Sequence, residues 1–187
     1  MVTLRLASLG SLAWIGSCAA PRAADWRDTL DERLANLGHR NVIAIVDAAY
    51  PEQAKASVRT VATHAEQLSV LREVLERVQR EPHVRARVAL DRELEYVPEG
   101  DAPGIEQHRA ALRAALLGVP VEFLPHEELI ARIDKTAQGF TVLVLKTDLA
   151  LPYTSVFVTL ECGYWSDDAE TRLRETMAHE ARQGILR

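Results

Sequence analysis

Apolar residues along this chain form continuous runs in some places and helical stripes in others. Continuous runs at residues 42–46 and 140–145 are typical of strands buried on both faces of a sheet. Residues 84–90 alternate between apolar and polar side chains, which predicts a strand with one face exposed to solvent. Shorter apolar stretches predict further strands at residues 57–63, 121–124 and 155–160.

Stripes of apolar residues at helical spacing lie between these strands. The clearest stripe predicts a helix at residues 65–80, which Pro82 ends. Gly38 is placed to end an earlier helix by adopting a left-handed conformation. The same spacing predicts helices at residues 25–37, 105–117 and 166–184, and one that begins at residue 125. Because strands alternate with helices, we expect an α/β fold with a largely parallel sheet.

The length of 187 residues suits one domain with a short segment at each end. The first segment, residues 1–24, has a positive charge at Arg5, then an apolar run, then small residues before Cys18. This pattern resembles a bacterial lipoprotein signal in which Cys18 is lipidated, and it predicts an exported protein, periplasmic or anchored to the membrane. The alternative is an ordinary N-terminal helix on a cytoplasmic protein. Residues 25–165 then form the domain, and residues 166–187 form an additional C-terminal helix.

Composition and short motifs exclude several classes of protein. The net charge of −5 argues against nucleic-acid binding, which usually requires a basic face. The two cysteines, Cys18 and Cys162, form neither a disulfide framework nor a zinc site of the paired-cysteine kind. The motifs of serine hydrolases, zinc proteases and nucleotide-binding loops are absent. Function must therefore come from residues that are dispersed along the chain.

Four dispersed residues are the candidates for the site: His39, Asp47, His126 and Tyr153. Asp47 and His126 follow predicted strands, and ligands of parallel sheets bind beyond the carboxyl ends of the strands. His39 precedes the first strand and Tyr153 precedes the last. Each residue also has a structural alternative. His39 would donate to helix carbonyls, Asp47 would cap the next turn, His126 would lie on the surface, and Tyr153 would pack in the core.

Together these side chains suit proton transfer on a small polyhydroxyl compound. Opening a sugar ring requires removal of the anomeric hydroxyl proton and delivery of a proton to the ring oxygen. Histidine titrates near neutrality and serves in either direction, while a carboxylate orients it or binds a hydroxyl. Such a reaction needs no cofactor. An alternative is a metal-dependent hydrolase in which His39, Asp47 and His126 ligate a divalent ion.

Three stretches of the chain resemble the ribose pyranase/fucose mutarotase (RbsD/FucU) family. They are Leu37-Gly38-His39 with the apolar run to Asp47, the continuous segment from Gly118 to Glu128, and Lys146-Thr147 followed by Pro152-Tyr153. The resemblance implies a three-layer α/β/α sandwich. It also implies homo-oligomers, rings or decamers, whose sites are completed by neighbouring subunits. The implied partner is an unphosphorylated monosaccharide, with no cofactor and no metal.

The same resemblance assigns roles to the candidate residues. His39 would be the catalytic acid/base, Asp47 would support it or bind the sugar, and His126 and Tyr153 would bind the sugar. Two positions depart from the family pattern. Ile130 stands where pyranases have a lysine, and Ser155 stands where they have an asparagine. These departures leave a second hypothesis open, a non-catalytic sugar-binding or assembly protein of the same fold.

Overall fold

The computed structural model describes residues 25–183. The strands are β1 (Val42–Val46), β2 (Val58–Ala62), β3 (Val84–Asp91), β4 (Val121–Leu124), β5 (Val142–Lys146) and β6 (Val156–Cys162). The helices are α1 (Trp26–Leu34), α2 (Gln67–Arg80), α3 (Ile105–Ala115), α4 (His126–Thr136) and α5 (Asp167–Arg182), with a short 3-10 helix at Arg92–Tyr96. None of the helices in this range combines the length and the apolar character needed to cross a bilayer. The signal-like segment with Cys18 lies outside the described residues.

The strands form one sheet in the order β2-β5-β1-β6-β3-β4. β5 pairs in parallel with both β1 and β2, and β3 pairs in parallel with β4. β6 lies between β1 and β3 and is antiparallel to both, so the other five strands share one direction. The prediction of a largely parallel sheet is therefore confirmed. An apolar run has the same pattern in either direction, so the sequence does not show the reversal of β6.

Helices cover both faces of the sheet, which gives three layers. β1 shows this directly because its side chains alternate between two cores. Ile43 and Ile45 belong to the core beneath α1, α2 and α3. Val42, Ala44 and Val46 belong to the core beneath α4. All five side chains are at most 2% exposed, so the fold is the expected α/β/α sandwich with β1 buried on both faces.

The turn before β1 differs from the prediction. α1 ends at Leu34 rather than at residue 37. Gly38 does not end the helix in a left-handed conformation, since its φ is not positive. Its N–H donates instead to Asn41 Oδ1 at 2.8 Å. In this turn Leu37 is buried, whereas His39, two residues later, is exposed to solvent.

The predicted C-terminal helix is present as α5, but none of its residues is buried. Leu173 and Met177 remain 41% and 43% exposed. The start of the helix is fixed to the sheet by Asp167, which pairs with Arg85 at 2.7 Å and with Arg87 at 3.3 Å. Among the described residues, the ion pairs between α5 and the sheet are made from its first turn.

The close approach of β6 to the start of β3 requires glycine at position 163. The Gly163 N–H donates to His83 O at 3.0 Å. A Cβ at this position would lie 2.6 Å from Pro82 O and 2.8 Å from Val84 N. Both are backbone atoms that cannot move without shifting the strand. We expect Gly163→Ala to lower the free energy of unfolding by about 1–3 kcal/mol, as overpacking does.

Gly100→Ala is the matched control, because no atom lies within 4 Å of a Cβ built there. Urea denaturation followed by circular dichroism would compare both variants with the wild type. Equal unfolding midpoints for the two alanine variants would show that the contact at Gly163 does not constrain the sheet.

A buried histidine makes the stability of the domain depend on pH. His108 lies on the inner face of α3, is 7% exposed, and has no hydrogen-bond partner for Nε2 among the described residues. Burial lowers the pKa of His108 below its ordinary value of 6.5, and the charge of Glu66 opposes this effect. As the pH falls below that value, the unfolded chain binds a proton that the folded protein resists. The stability contributed by neutral His108 is therefore complete above this pH and declines below it.

We expect the wild type to lose more stability than His108→Leu between about pH 7.5 and about pH 5.5. His179→Gln, which changes an exposed histidine on α5, is expected to retain the wild-type pH dependence. Urea unfolding at a series of pH values measures the three slopes. A His108→Leu slope equal to that of the wild type would contradict this assignment.

Candidate active site

A pocket of about 340 Å³ opens at the edge of the sheet where β1 and β3 end. β6 starts at this same edge because it runs antiparallel to both neighbours. Three of the four predicted site residues line the pocket: Asp47, His126 and Tyr153. They come from the end of β1, the start of α4 and the turn before β6, so the fold gathers them from distant parts of the sequence.

Asp47 uses its two carboxylate oxygens for different purposes. Oδ1 accepts from the backbone N–H of Ala49 at 2.8 Å and thereby shapes the turn after β1. Oδ2 accepts from the Ser155 hydroxyl at 3.2 Å across the pocket. The capping role foreseen as a structural alternative is therefore present, and the second oxygen still faces the site.

A second carboxylate, Asp91 at the end of β3, contacts His126. It is only 1% exposed, and its Oδ1 lies 2.9 Å from His126 Nδ1. Burial raises the pKa of the Asp91 carboxyl, while the hydrogen bond and the charge of His126 oppose the rise. Asp91 is not among the predicted site residues. Its place after the last apolar residue of β3, which matches that of Asp47 after β1, is the signal that points to it.

The backbone of His126 is fixed by hydrogen bonds as well as its ring. His126 is the first residue of α4, and its N–H is not used within the helix. Both carboxylate oxygens of Glu93, in the 3-10 helix, lie 3.0 Å from this nitrogen. These contacts hold the pKa of the Glu93 carboxyl below its ordinary value. The acid thus anchors the start of α4 and sets where the His126 side chain emerges.

Tyr153 packs edge-on against His126. The two ring centroids are 5.4 Å apart and the rings cross at 83°. The backbone of Tyr153 has a φ of 56°, a left-handed value that is uncommon outside glycine. The next residue, Thr154, stabilises the turn by donating its hydroxyl to Leu151 O at 2.9 Å. The strained turn therefore directs an aromatic ring onto the histidine.

The remaining wall of the pocket is largely apolar. Ile130 from α4 and Phe157 from β6 line it, together with Tyr50 and Pro51 in the loop after β1. Burial raises the pKa of Tyr50, whose hydroxyl accepts from Gln53 at 3.0 Å. Lys146, the last residue of β5, does not line the pocket. Its ammonium donates to Tyr50 O at 2.9 Å and so supports the loop from behind.

His39 lies at the other edge of the sheet. Arg40, Asn41 and the five residues of β1 separate it from Asp47, and an extended strand of five residues alone spans roughly 16 Å. His39 lines a different cavity, of about 410 Å³, with Arg40 and Arg87. Arg40 has a left-handed φ of 79° and places its guanidinium 5.7 Å from the centre of the Phe140 ring. Within one chain, the structure brings Asp47, His126 and Tyr153 together and leaves His39 apart.

The geometry also bears on the metal hypothesis. His39 does not join Asp47 and His126 in one chain, so these three residues do not form a ligand set there. Among residues 25–183, no group of three or more histidine, cysteine or acidic side chains is arranged to hold a metal ion.

The fold and the pocket define a class of small α/β/α domain with acid–base side chains at the carboxyl edge of its sheet. Residues 27–163 match the RbsD / FucU transport protein family, and the chain belongs to that family. The match ends before α5, so the C-terminal helix lies outside it.

Individual relatives agree with this assignment. The chain is 31% identical over 142 residues to a D-ribose pyranase of Geobacillus kaustophilus, which covers 74% of this chain and 92% of the relative. It is 29% identical over 135 residues to a D-ribose pyranase of Thermotoga petrophila. This alignment covers 70% of this chain and 89% of the relative. The solved structure of Bacillus subtilis RbsD complexed with D-ribose aligns with a TM-score of 0.51 at 17% identity, over 84% of this chain and all of that one. This last likeness shows the fold alone.

Proposed function

We propose that this protein is a monosaccharide pyranase or mutarotase, an isomerase that opens and recloses sugar rings. One observation carries the proposal: Asp47, His126 and Tyr153 surround one pocket in a chain whose curated relatives are named D-ribose pyranase. Imidazole and carboxylate groups supply the acid and base that ring opening requires.

The lining of the pocket favours a neutral sugar. Asp47 and Asp91 contribute carboxylates, and no lysine or arginine lines the pocket within the described residues. Within one subunit, a phosphorylated sugar would meet negative charge and find no lysine or arginine to pair with it. The volume of about 340 Å³ lies at the small end of the range for ligand pockets. We therefore assign an unphosphorylated monosaccharide as the substrate.

A neighbouring subunit would supply the missing histidine. In a head-to-tail ring, the edge of one subunit that carries His39 would meet the pocket edge of the next. The charges of the two edges are complementary: Arg40 and Lys135 flank His39, whereas Asp47 and Asp91 lie in the pocket. In this arrangement His39 is a catalytic acid/base that acts on a sugar bound by another copy.

The proposal predicts faster ring interconversion in the presence of the protein. Saturation-transfer NMR on D-ribose and L-fucose would measure the exchange rate over buffer. We expect His39→Ala and Asp47→Asn each to lower the catalysed rate by about 100-fold or more, since each removes a proton-transfer or sugar-orienting group. Wild-type protein that gives no rate increase with any tested monosaccharide would refute the proposed function.

Mixing two inactive variants tests the shared site. His39→Ala and His126→Ala subunits, unfolded and refolded together, would form some interfaces with both histidines intact. In randomly mixed rings this is roughly a quarter of the interfaces, and a similar fraction of activity should return. The same variants refolded separately and then combined are the control. Absence of any recovery would place the two histidines in separate sites.

Ile130 favours one alternative function. It places an apolar side chain on the pocket wall, where the pyranase pattern has a lysine. A protein that binds sugar without catalysing exchange would have lost such a polar contact. Calorimetric binding of ribose or fucose with no accelerated exchange would identify this second function.

We also propose that the protein is exported and anchored through a lipid on Cys18. The order of charge, apolar run and small residues before Cys18 supports this location. Labelled palmitate fed to a bacterium that expresses the full chain should enter the protein. Cys18→Ser should abolish the label, and Cys162→Ser is the matched control that should retain it. Equal labelling of the two variants would contradict lipidation at Cys18.

A further inference from the structure

His126 is held by more contacts than a residue that only binds a hydroxyl requires. Its Nδ1 lies 2.9 Å from a buried Asp91 oxygen, and its backbone N–H points to the two Glu93 oxygens. The Tyr153 ring limits rotation from the side. These contacts come from β3, the 3-10 helix and the turn before β6, so three separate elements fix one imidazole.

The contact with Asp91 determines which ring nitrogen is free. When Asp91 is ionised its carboxylate only accepts hydrogen bonds, and in that state Nδ1 carries the hydrogen and donates it. Nε2 then bears the lone pair and has no partner among the described residues. The side chain is 39% exposed and lines the pocket. A basic nitrogen is thus available to a ligand at the site.

We infer that His126 is a second catalytic acid/base and that Asp91 is the positioning residue that keeps its Nε2 basic and orients the ring. This inference rests on the proposed function and extends it, because the resemblance assigns His126 to sugar binding only. Asp91 touches His126 and acts through it.

The proton transfers balance with two histidines. Neutral His126 Nε2 takes the proton of the anomeric hydroxyl, and the carbon–oxygen double bond of the open-chain sugar forms. The bond between the anomeric carbon and the ring oxygen breaks, and its electron pair remains on that oxygen. Protonated His39 of the neighbouring copy gives its proton to the ring oxygen. Reclosure, after rotation about the carbon–carbon bond, returns both protons to their original holders.

Acidic groups surround His126 in the pocket. The titratable groups that line the pocket with it are the carboxylates of Asp47 and Asp91 and the phenols of Tyr50 and Tyr153. Glu93 contacts its backbone N–H, and the positive charge of Arg92 lies close to Glu93. A carboxylate hydrogen-bonded to Nδ1 stabilises an imidazolium most directly.

Asp91→Asn in the full-length chain tests the inference because it retains the shape and removes the charge. We expect the exchange rate of D-ribose to fall by about 100-fold while its calorimetric affinity changes little. The acidic limb of the pH–rate profile should move to lower pH, since the imidazolium loses its carboxylate. Nitrogen-15 NMR of the His126 ring should show hydrogen on Nδ1 in the wild type and a shift toward Nε2 in the variant. Asp31→Asn, which removes a carboxylate paired with Arg77 at 2.7 Å on the far side of the domain, is the control and should match the wild type.

The outcomes separate this inference from the proposed function. Asp91→Asn that retains the wild-type rate and pH profile would overturn the role of Asp91 while leaving the isomerase intact. If that variant does not fold, the wild-type spectrum decides: hydrogen on Nε2 of His126 would overturn the inference. Wild-type protein without exchange activity would instead remove the proposed function, and with it the catalytic role of His126.

Discussion

The direction of β6 is the constraint on which the candidate site depends. β6 lies in the middle of the sheet and is antiparallel to β1 and β3. Its first residues therefore lie beside the last residues of both neighbours, which brings Ser155 to Asp47 and places Tyr153 against His126. In a fully parallel sheet the start of this strand would lie at the opposite edge. The reversed direction of β6 thus places the start of β6 next to the ends of β1 and β3, and the pocket lies there.

The burial of β1 keeps the residues at its two ends apart. A strand packed between two cores stays extended, because any bend would expose its apolar side chains or leave its backbone without partners. His39 and Asp47, at its two ends, therefore cannot meet within one subunit. A site that needs both residues must be built by two copies, and a head-to-tail interface is the geometry that joins opposite edges. The rigidity that stabilises the core would make the proposed activity depend on the proposed assembly.

The sequence predicts the elements of this fold better than their directions or ends. Continuous apolar runs and apolar stripes at helical spacing identify the strands and helices because apolar residues occupy the buried positions, as in β1. They carry no information about strand direction, so the position of Tyr153 beside His126 is not predictable from them. The turn between α1 and β1 is held by a hydrogen bond from the Gly38 N–H to Asn41, which propensity does not reveal. Asp91 is missed because its role is set by a contact with His126, 35 residues away in the chain.

Asp91 and His126 depend on each other. A carboxylate that is almost fully buried is costly without a partner, and His126 is the hydrogen-bond donor that the described residues offer it. Ile130 and Phe157 line the same pocket, and burial raises the pKa of Asp91. The same apolar surroundings strengthen the attraction between the carboxylate and a protonated imidazole. An apolar residue at position 130 is therefore compatible with acid–base chemistry: it removes one polar sugar contact and strengthens the pair that would move the proton.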